Sequence, residues 1–301
     1  MPTNSATALK QHTTFSDFLA LTKVRLAISV VVSTLAGYAL GVENFNLNEF
    51  YTLILLAIGG YCMVGASNVY NQIIEKDLDA KMDRTKNRPL PANRVTTTQA
   101  FILGTLLTVL GIAILYYINQ KTALFAAISI FMYVSMYTPL KTITPLSVFV
   151  GAFPGAIPFM LGWVAATGNF GIEAGTLFII QFFWQFPHFW AIAWFLDEDY
   201  KKADFKMLPT GKTDKKSALQ TVIYTVWTIL ASLLPFYFST GKLKLSVVAA
   251  VIILLLGLWM FFASLKLYKE MSRVAARKLM LVSVSYISLL QLVYVLDKFL
   301  R

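Results

Sequence analysis

Apolar runs of about 20 residues recur along the whole chain, each long enough to cross a hydrocarbon core of roughly 30 Å as a helix. They fall at about 20–42, 50–75, 97–118, 122–140, 145–167, 174–196, 217–238, 245–265 and 279–297. A segment in hydrocarbon has no water to satisfy its backbone, so runs of this length predict helices. The pattern predicts an all-α, polytopic membrane protein with nine transmembrane helices in a bundle. Composition agrees, with 57% hydrophobic and 14% charged residues, against roughly 25% charged in a soluble domain. No soluble domain is left over: residues 18–301 read as a single transmembrane domain and the polar residues 1–17 as a disordered cytoplasmic tail. With one Lys and no Arg, that tail looks like neither a secretory signal nor an Arg-rich transit peptide. The single cysteine, Cys62, excludes an intramolecular disulfide and a cysteine-only metal cluster.

The net charge is +11, and its placement matters more than its size. Of the 26 Lys and Arg, 21 fall in the alternate connections on the N-terminal side and 5 on the other. By the positive-inside rule the N-terminus is cytoplasmic and the C-terminus outside, in a cell membrane. The basic surplus is thus a topology signal set against the lipid bilayer, and no nucleic-acid partner is expected.

Between Asn68 and Pro91 the oily chain turns abruptly polar. Asn71, Glu75 and Asp79 are spaced i, i+4, i+8, which puts them on one helix edge together with Asn68. Carboxylate and amide oxygens suit a hard cation such as Mg²⁺, and a diphosphate arriving with the metal supplies its remaining ligands. Arg84, Lys86 and Arg88 follow as partners for phosphate oxygens. Asp77 points to the opposite side, where Lys81 offers an ordinary surface pair. A solvated loop that only fixes topology would explain the cations. It would not explain Asn68, Asn71 and Glu75, which continue the apolar run and place costly groups at the membrane boundary.

Other polar groups gather at the same membrane face. Lys23 and Arg25 stand at the cytoplasmic boundary where the first span enters, as snorkelling anchors or phosphate ligands. Tyr137 and Lys141 are four apart at the end of the fourth, where phenol and ammonium could steady a diphosphate or an allylic cation. Pro139 makes that last turn irregular. The fifth span carries Gly151, Gly155 and Gly162 with Pro154 and Pro158, a pattern that permits close helix approach. A second acidic cluster, Asp197, Glu198, Asp199 and Asp204 with Lys202, follows the sixth span, four helices after the first cluster, as two halves of a duplicated bundle would place it. Two facing carboxylate groups around Mg²⁺ and one diphosphate is the arrangement this suggests. His188, in apolar surroundings near Trp184, Trp190 and Trp194, is read as a core histidine, with iron ligation or proton carriage as its alternatives.

These residues resemble the UbiA-type intramembrane prenyltransferases, in particular their haem-farnesylating branch. The resemblance runs over nearly the whole chain. It is carried by Asn71 through Asp79 with Met82-Asp83-Arg84-Thr85 and Arg88-Pro89-Leu90-Pro91, by Tyr137-Thr-Pro-Leu-Lys141, and by Pro187-His188-Phe-Trp190 with Glu198-Asp199-Tyr200 and Met207-Leu208-Pro209. Glu75 stands where the wider family has aspartate, which lengthens one ligand and keeps its charge. The resemblance implies a bundle around a central chamber open to the cytoplasmic side, with Mg²⁺ held among Asn71, Glu75, Asp79, Asp83, Glu198 and Asp199. It implies diphosphate binding by Lys23, Arg25, Arg84, Arg88 and Lys202, roles in the reaction for Tyr137 and Lys141, and haem binding by His188. It further implies farnesyl diphosphate as donor and haem B as acceptor, and leaves open whether a haem A synthase is a physical partner. The rival readings are prenylation of a phenolic or quinone ring and, in a different class, a haem-binding transporter or assembly factor. Clustering of the acids at one membrane face disfavours transport, whose sites usually lie near the midplane.

Overall fold

The computed structural model describes residues 13–238 and 240–301. Among these residues every regular element is a helix, and the one strand-like pairing is an isolated bridge between Thr240 and Leu243. In chain order the elements are α1 (Phe15–Thr22), α2 (Val24–Gly41), α3 (Leu47–Ile74), α4 (Lys76–Lys81), α5 (Thr97–Ile118) and α6 (Gln120–Phe131). A π-helical turn (Met132–Tyr137) leads into α7 (Thr138–Leu140). Then come α8 (Ser147–Thr167), α9 (Ile172–Phe195), α10 (Asp197–Lys202), α11 (Lys215–Ser232), α12 (Leu234–Tyr237), α13 (Val247–Glu270) and α14 (Arg273–Leu300). Among the described residues seven segments are long and apolar enough to cross a membrane: α2, α3, α5, Gln120–Leu140, α8, α13 and α14. The long helices α9 and α11 are not among these segments. In α11 the hydroxyls of Thr221, Thr225, Thr228 and Ser232 each donate to the carbonyl one turn back, so their polarity is satisfied within the helix.

The most buried of the candidate spans is α8, which packs against α2, α6 and α9. Its approach to α2 depends on two glycines. A Cβ on Gly162 would lie 1.9 Å from the Thr34 carbonyl oxygen, and one on Gly37 would lie 1.9 Å from that of Phe159. Pro154 and Pro158 both sit inside α8. Pro158 cannot donate to the Pro154 carbonyl, and Ser129 of α6 does so instead at 3.2 Å. Gln185 of α9 donates to the Ala152 carbonyl at 2.9 Å.

Several boundaries differ from the hydropathy reading. The first run splits at Lys23, whose left-handed backbone (φ 51°) turns α1 into α2. The seventh run, expected to reach residue 238, breaks at Leu233 because Pro235 cannot extend the helix. The stretch left between the last two apolar runs, 266–278, is mostly helical, since α13 runs to Glu270 and α14 begins at Arg273. Long cationic side chains reach water from a helix end and do not terminate it. Of the expected tail, residues 1–12 lie outside the described residues. Residues 15–17 form the first turn of α1, closed by a Thr14 and Asp17 capping box, and Asp17 accepts from Arg94 at 2.8 Å. That guanidinium holds the Asp17 carboxyl down at about 2.

Replacing Gly162 by Ala is expected to push α2 and α8 apart and to destabilise the protein by about 1–3 kcal/mol. Thermal melting of the purified variant measures this; an unchanged midpoint would show that the two helices do not depend on that contact.

Candidate active site

Asn71 ends up on the last turn of α3 and Asp79 in α4, with Glu75 at the break between them (φ −92°, ψ 9°). Backbone bonds from Glu75 to Asn71 (2.9 Å) and from Asp79 to Glu75 (2.7 Å) carry the four-residue spacing across the break. The three side chains therefore stay on one edge, at 1%, 4% and 1% exposure respectively. Burial at this depth demands partners, and each finds a cation from another element. Lys141 Nζ lies 2.7 Å from Glu75, Arg88 2.7 Å from Asp79 Oδ2, and Lys23 Nζ 3.2 Å from Asn71 Oδ1. The Asn71 amide also donates to Thr138 at 3.2 Å. Asn68, on the same edge, donates instead to the Thr22 carbonyl.

Lys141 completes an aromatic box. Its ammonium lies 4.6 Å from the Tyr137 ring centroid and 5.5 Å from that of Phe205. The Tyr137 ring fits because Gly151 has no side chain; a Cβ there would stand 2.5 Å from the ring. The π turn ending at Tyr137 replaces the regular helix expected there and presents Tyr137 and Lys141 to Glu75 together.

The second cluster meets the first through its backbone. Asp199 accepts from the backbone N–H groups of Asp83 (2.9 Å) and Arg84 (3.0 Å), and Lys202 bridges Asp83 and Asp199. Lys202 and Lys86 hold the Asp83 carboxyl down at about 2. Other candidates stand apart. Glu198 is 80% exposed and pairs with Arg273 at 3.0 Å. Arg25 and Arg84 are exposed, and their side chains make no hydrogen bond or ion pair among the described residues. His188 Nδ1 lies 2.9 Å from the Ser283 hydroxyl, and its ring stacks on Trp184 at 4.7 Å. Of the other two tryptophans, Trp190 packs on Tyr224 and Phe186. Thr138, Phe205, Ser283 and Gln72 take part without having stood out in the sequence. Each contributes by proximity across the fold, which no local pattern encodes.

A model of the UbiA prenyltransferase family matches residues 30–289. The chain belongs to the UbiA prenyltransferase family. It is a prenyltransferase and a multi-pass membrane protein. It is 67% identical over 287 residues to a protoheme IX farnesyltransferase of Flavobacterium psychrophilum, covering 95% of this chain and 96% of that protein. A protoheme IX farnesyltransferase of Flavobacterium johnsoniae is 65% identical at the same coverage. Among solved structures, a digeranylgeranylglyceryl phosphate synthase shares the fold with a TM-score of 0.77 at 19% identity, covering 95% of this chain and 99% of its own. A UbiA homologue from Archaeoglobus fulgidus bound to GPP and Mg²⁺ does so with a TM-score of 0.67 at 16% identity, covering 92% and 99%.

The residues fit a hard cation. The Oδ1 atom of Asp79 is buried and has no hydrogen-bond partner among the described residues, on the same edge as the buried Glu75 and Asn71. Among the described residues no three His, Cys, Asp or Glu side chains form a ready cage. Mg²⁺ does not require one, since it is commonly held by one or two carboxylates plus substrate phosphates.

Asp199→Ala should release the two backbone N–H groups of Asp83 and Arg84. Hydrogen exchange of a peptide spanning 82–88 is expected to speed up while the transmembrane segments stay protected; unchanged exchange would mean the two loops are held by something else.

Proposed function

We propose that this chain transfers the farnesyl group of farnesyl diphosphate to the 2-vinyl group of haem B, with addition of water, giving haem O and diphosphate. The observation that carries the reading is the buried Asn71, Glu75 and Asp79 edge faced by Lys23, Lys141 and Arg88: a place for a metal and a diphosphate at the end of an apolar bundle. The names of the relatives supply the acceptor.

Asn71, Glu75 and Asp79 would hold Mg²⁺, with Asp79 Oδ1 as the oxygen left ready for it, and with Asp83 of the first loop and Asp199 of the second cluster as further candidate ligands. When bound, the metal neutralises charge on the departing diphosphate. Lys141, Arg88 and Lys23 then leave their present partners for the diphosphate oxygens, with Arg84 and Lys202 at the rim. As the allylic carbon–oxygen bond breaks, its electron pair leaves with the diphosphate. The Tyr137 ring face, next to Lys141, stands where the allylic cation forms. The vinyl carbon of haem attacks that cation to make the new carbon–carbon bond. Water captures the resulting carbocation and loses a proton, leaving the hydroxyl. A dry, apolar surrounding protects the cation until the vinyl group arrives.

The farnesyl tail would run along α3 from Asn71 past Ser67 into the seam with α2, α6 and α8. A small cleft of about 50 Å³ lined by Met63, Leu115, Ile157 and Leu161 lies there. A roomier cavity of about 570 Å³ lies elsewhere, among Glu43, Glu49, Glu173 and Lys242, and contains none of the candidate site residues. His188 suits the acceptor: Ser283 engages Nδ1, and Nε2 makes no hydrogen bond among the described residues, as an iron ligand with a fixed ring requires. Nine membrane crossings, with α9 and α11 added to the seven apolar segments, would put both clusters at the cytoplasmic side of a chamber open there, with the N-terminus on the cytoplasmic side of a cell membrane.

Purified protein given Mg²⁺, farnesyl diphosphate and either haem B or 4-hydroxybenzoate should farnesylate haem B alone, as read by mass spectrometry. Farnesylated 4-hydroxybenzoate would move the reading to a phenolic acceptor. His188→Ala is expected to shift the Soret band of bound haem and cost turnover while donor binding persists. An unchanged spectrum and haem affinity would return His188 to the packed core.

A further inference from the structure

Lys23 stands in a backbone conformation that disfavours it. Its φ of 51° and ψ of 57° lie in the left-handed region, where an L side chain crowds its own carbonyl. The turn itself asks only for a backbone: the Lys23 N–H donates to the Ala20 carbonyl to close α1, and its carbonyl accepts from Ala27 to open α2. Glycine would serve both ends without strain. What glycine lacks is the ammonium that reaches Asn71 Oδ1.

A strained residue persists only where its surroundings over-determine it, and here one turn of α3 does so. Asn68 donates to the Thr22 carbonyl at 3.0 Å, and Gln72 donates to the Leu21 carbonyl at 2.7 Å. These are carbonyls at the C-terminal end of α1, where intrahelical partners run out. Both amides are 1% exposed. Thr22 is tied further by a 2.9 Å bond between its hydroxyl and that of Tyr61. Asn68 and Gln72 flank Asn71, so one helical turn fixes the end of α1 at two points and receives Lys23 at a third.

We propose that Asn68 and Gln72 are positioning residues of the prenyl diphosphate site: by holding the end of α1 they keep Lys23 in its left-handed turn and aim its ammonium at Asn71 and the diphosphate. The inference rests on the reading of this site as a prenyl diphosphate site. The bland alternative is that the two amides only cap α1, in which case they serve stability and nothing passes through Lys23.

The test is calorimetric titration of the full-length protein in nanodiscs with farnesyl diphosphate and Mg²⁺, without haem, alongside thermal melting. Lys23→Gly should melt higher, because the strain is gone, and bind the donor roughly tenfold more weakly or worse, the loss of a charge-assisted bond. Asn68→Ala should weaken donor binding in the parent background and add no further loss in the Lys23→Gly background. Gln72→Asn, too short to reach Leu21, takes its place if Asn68→Ala fails to fold. Equal losses in both backgrounds, or a Lys23→Gly variant that melts lower with donor affinity unchanged, would overturn the proposal. A parent protein that takes up no farnesyl diphosphate would overturn the donor-site reading itself, and the inference with it, before any variant is compared.

Discussion

A carboxylate that is 1% exposed at the end of an apolar bundle needs a partner at hand, and Asp79 meets Arg88 as Glu75 meets Lys141. Taking such a group out of water costs of the order of several kcal/mol, and removing one member of a buried pair costs about 3–5 kcal/mol because the other is stranded. The pairs consequently dictate where chain segments lie. Arg88 folds the loop after α4 back onto α4, and Lys141 brings the end of α7 to Glu75 at the α3–α4 break. Asp199 then ties the loop after α4 to α10 through two backbone N–H groups. The same pairs suit the proposed chemistry: a divalent ion at the carboxylates would release the cations now resting there, leaving them free for a diphosphate.

The helices around this point are irregular at four places: the left-handed Lys23, the break at Glu75, the π turn into Tyr137, and Pro154 with Pro158 in α8. Irregular backbone at membrane depth is tolerated where protein satisfies the groups it frees. Asn68 and Gln72 do this for the end of α1, and Ser129 for the Pro154 carbonyl. The polar residues buried in this bundle thus do two jobs, forming the site and repairing the backbone that bends to form it.

Much of this is legible in the residues because both of its periodicities are local. The apolar runs locate the long helices, and four-residue spacing puts Asn71, Glu75 and Asp79 on one edge even across a break that spacing does not reveal. The helix ends are less legible, as Lys23 shows: nothing in Leu-Thr-Lys-Val-Arg marks a left-handed turn, which tertiary bonds from α3 impose. The second cluster is less legible still. Its acids are adjacent in sequence, yet Asp199 turns to the first loop, Glu198 to Arg273 and Asp197 to Lys201, a division decided by which neighbour each meets. Ser283 beside His188 comes from a helix 95 residues away and could not be anticipated from either segment.

The central claim is that Asp79 holds a divalent cation to which the donor's diphosphate attaches. Manganese electron paramagnetic resonance tests it directly, with Mn²⁺ in place of Mg²⁺ and a non-hydrolysable farnesyl diphosphate analogue, in the parent protein and in Asp79→Asn. The account predicts one tightly bound Mn²⁺ population in the parent whose signal shows phosphorus coupling once the analogue is added, and loss of that population in the variant. Equal Mn²⁺ binding with the same phosphorus coupling in Asp79→Asn would contradict it.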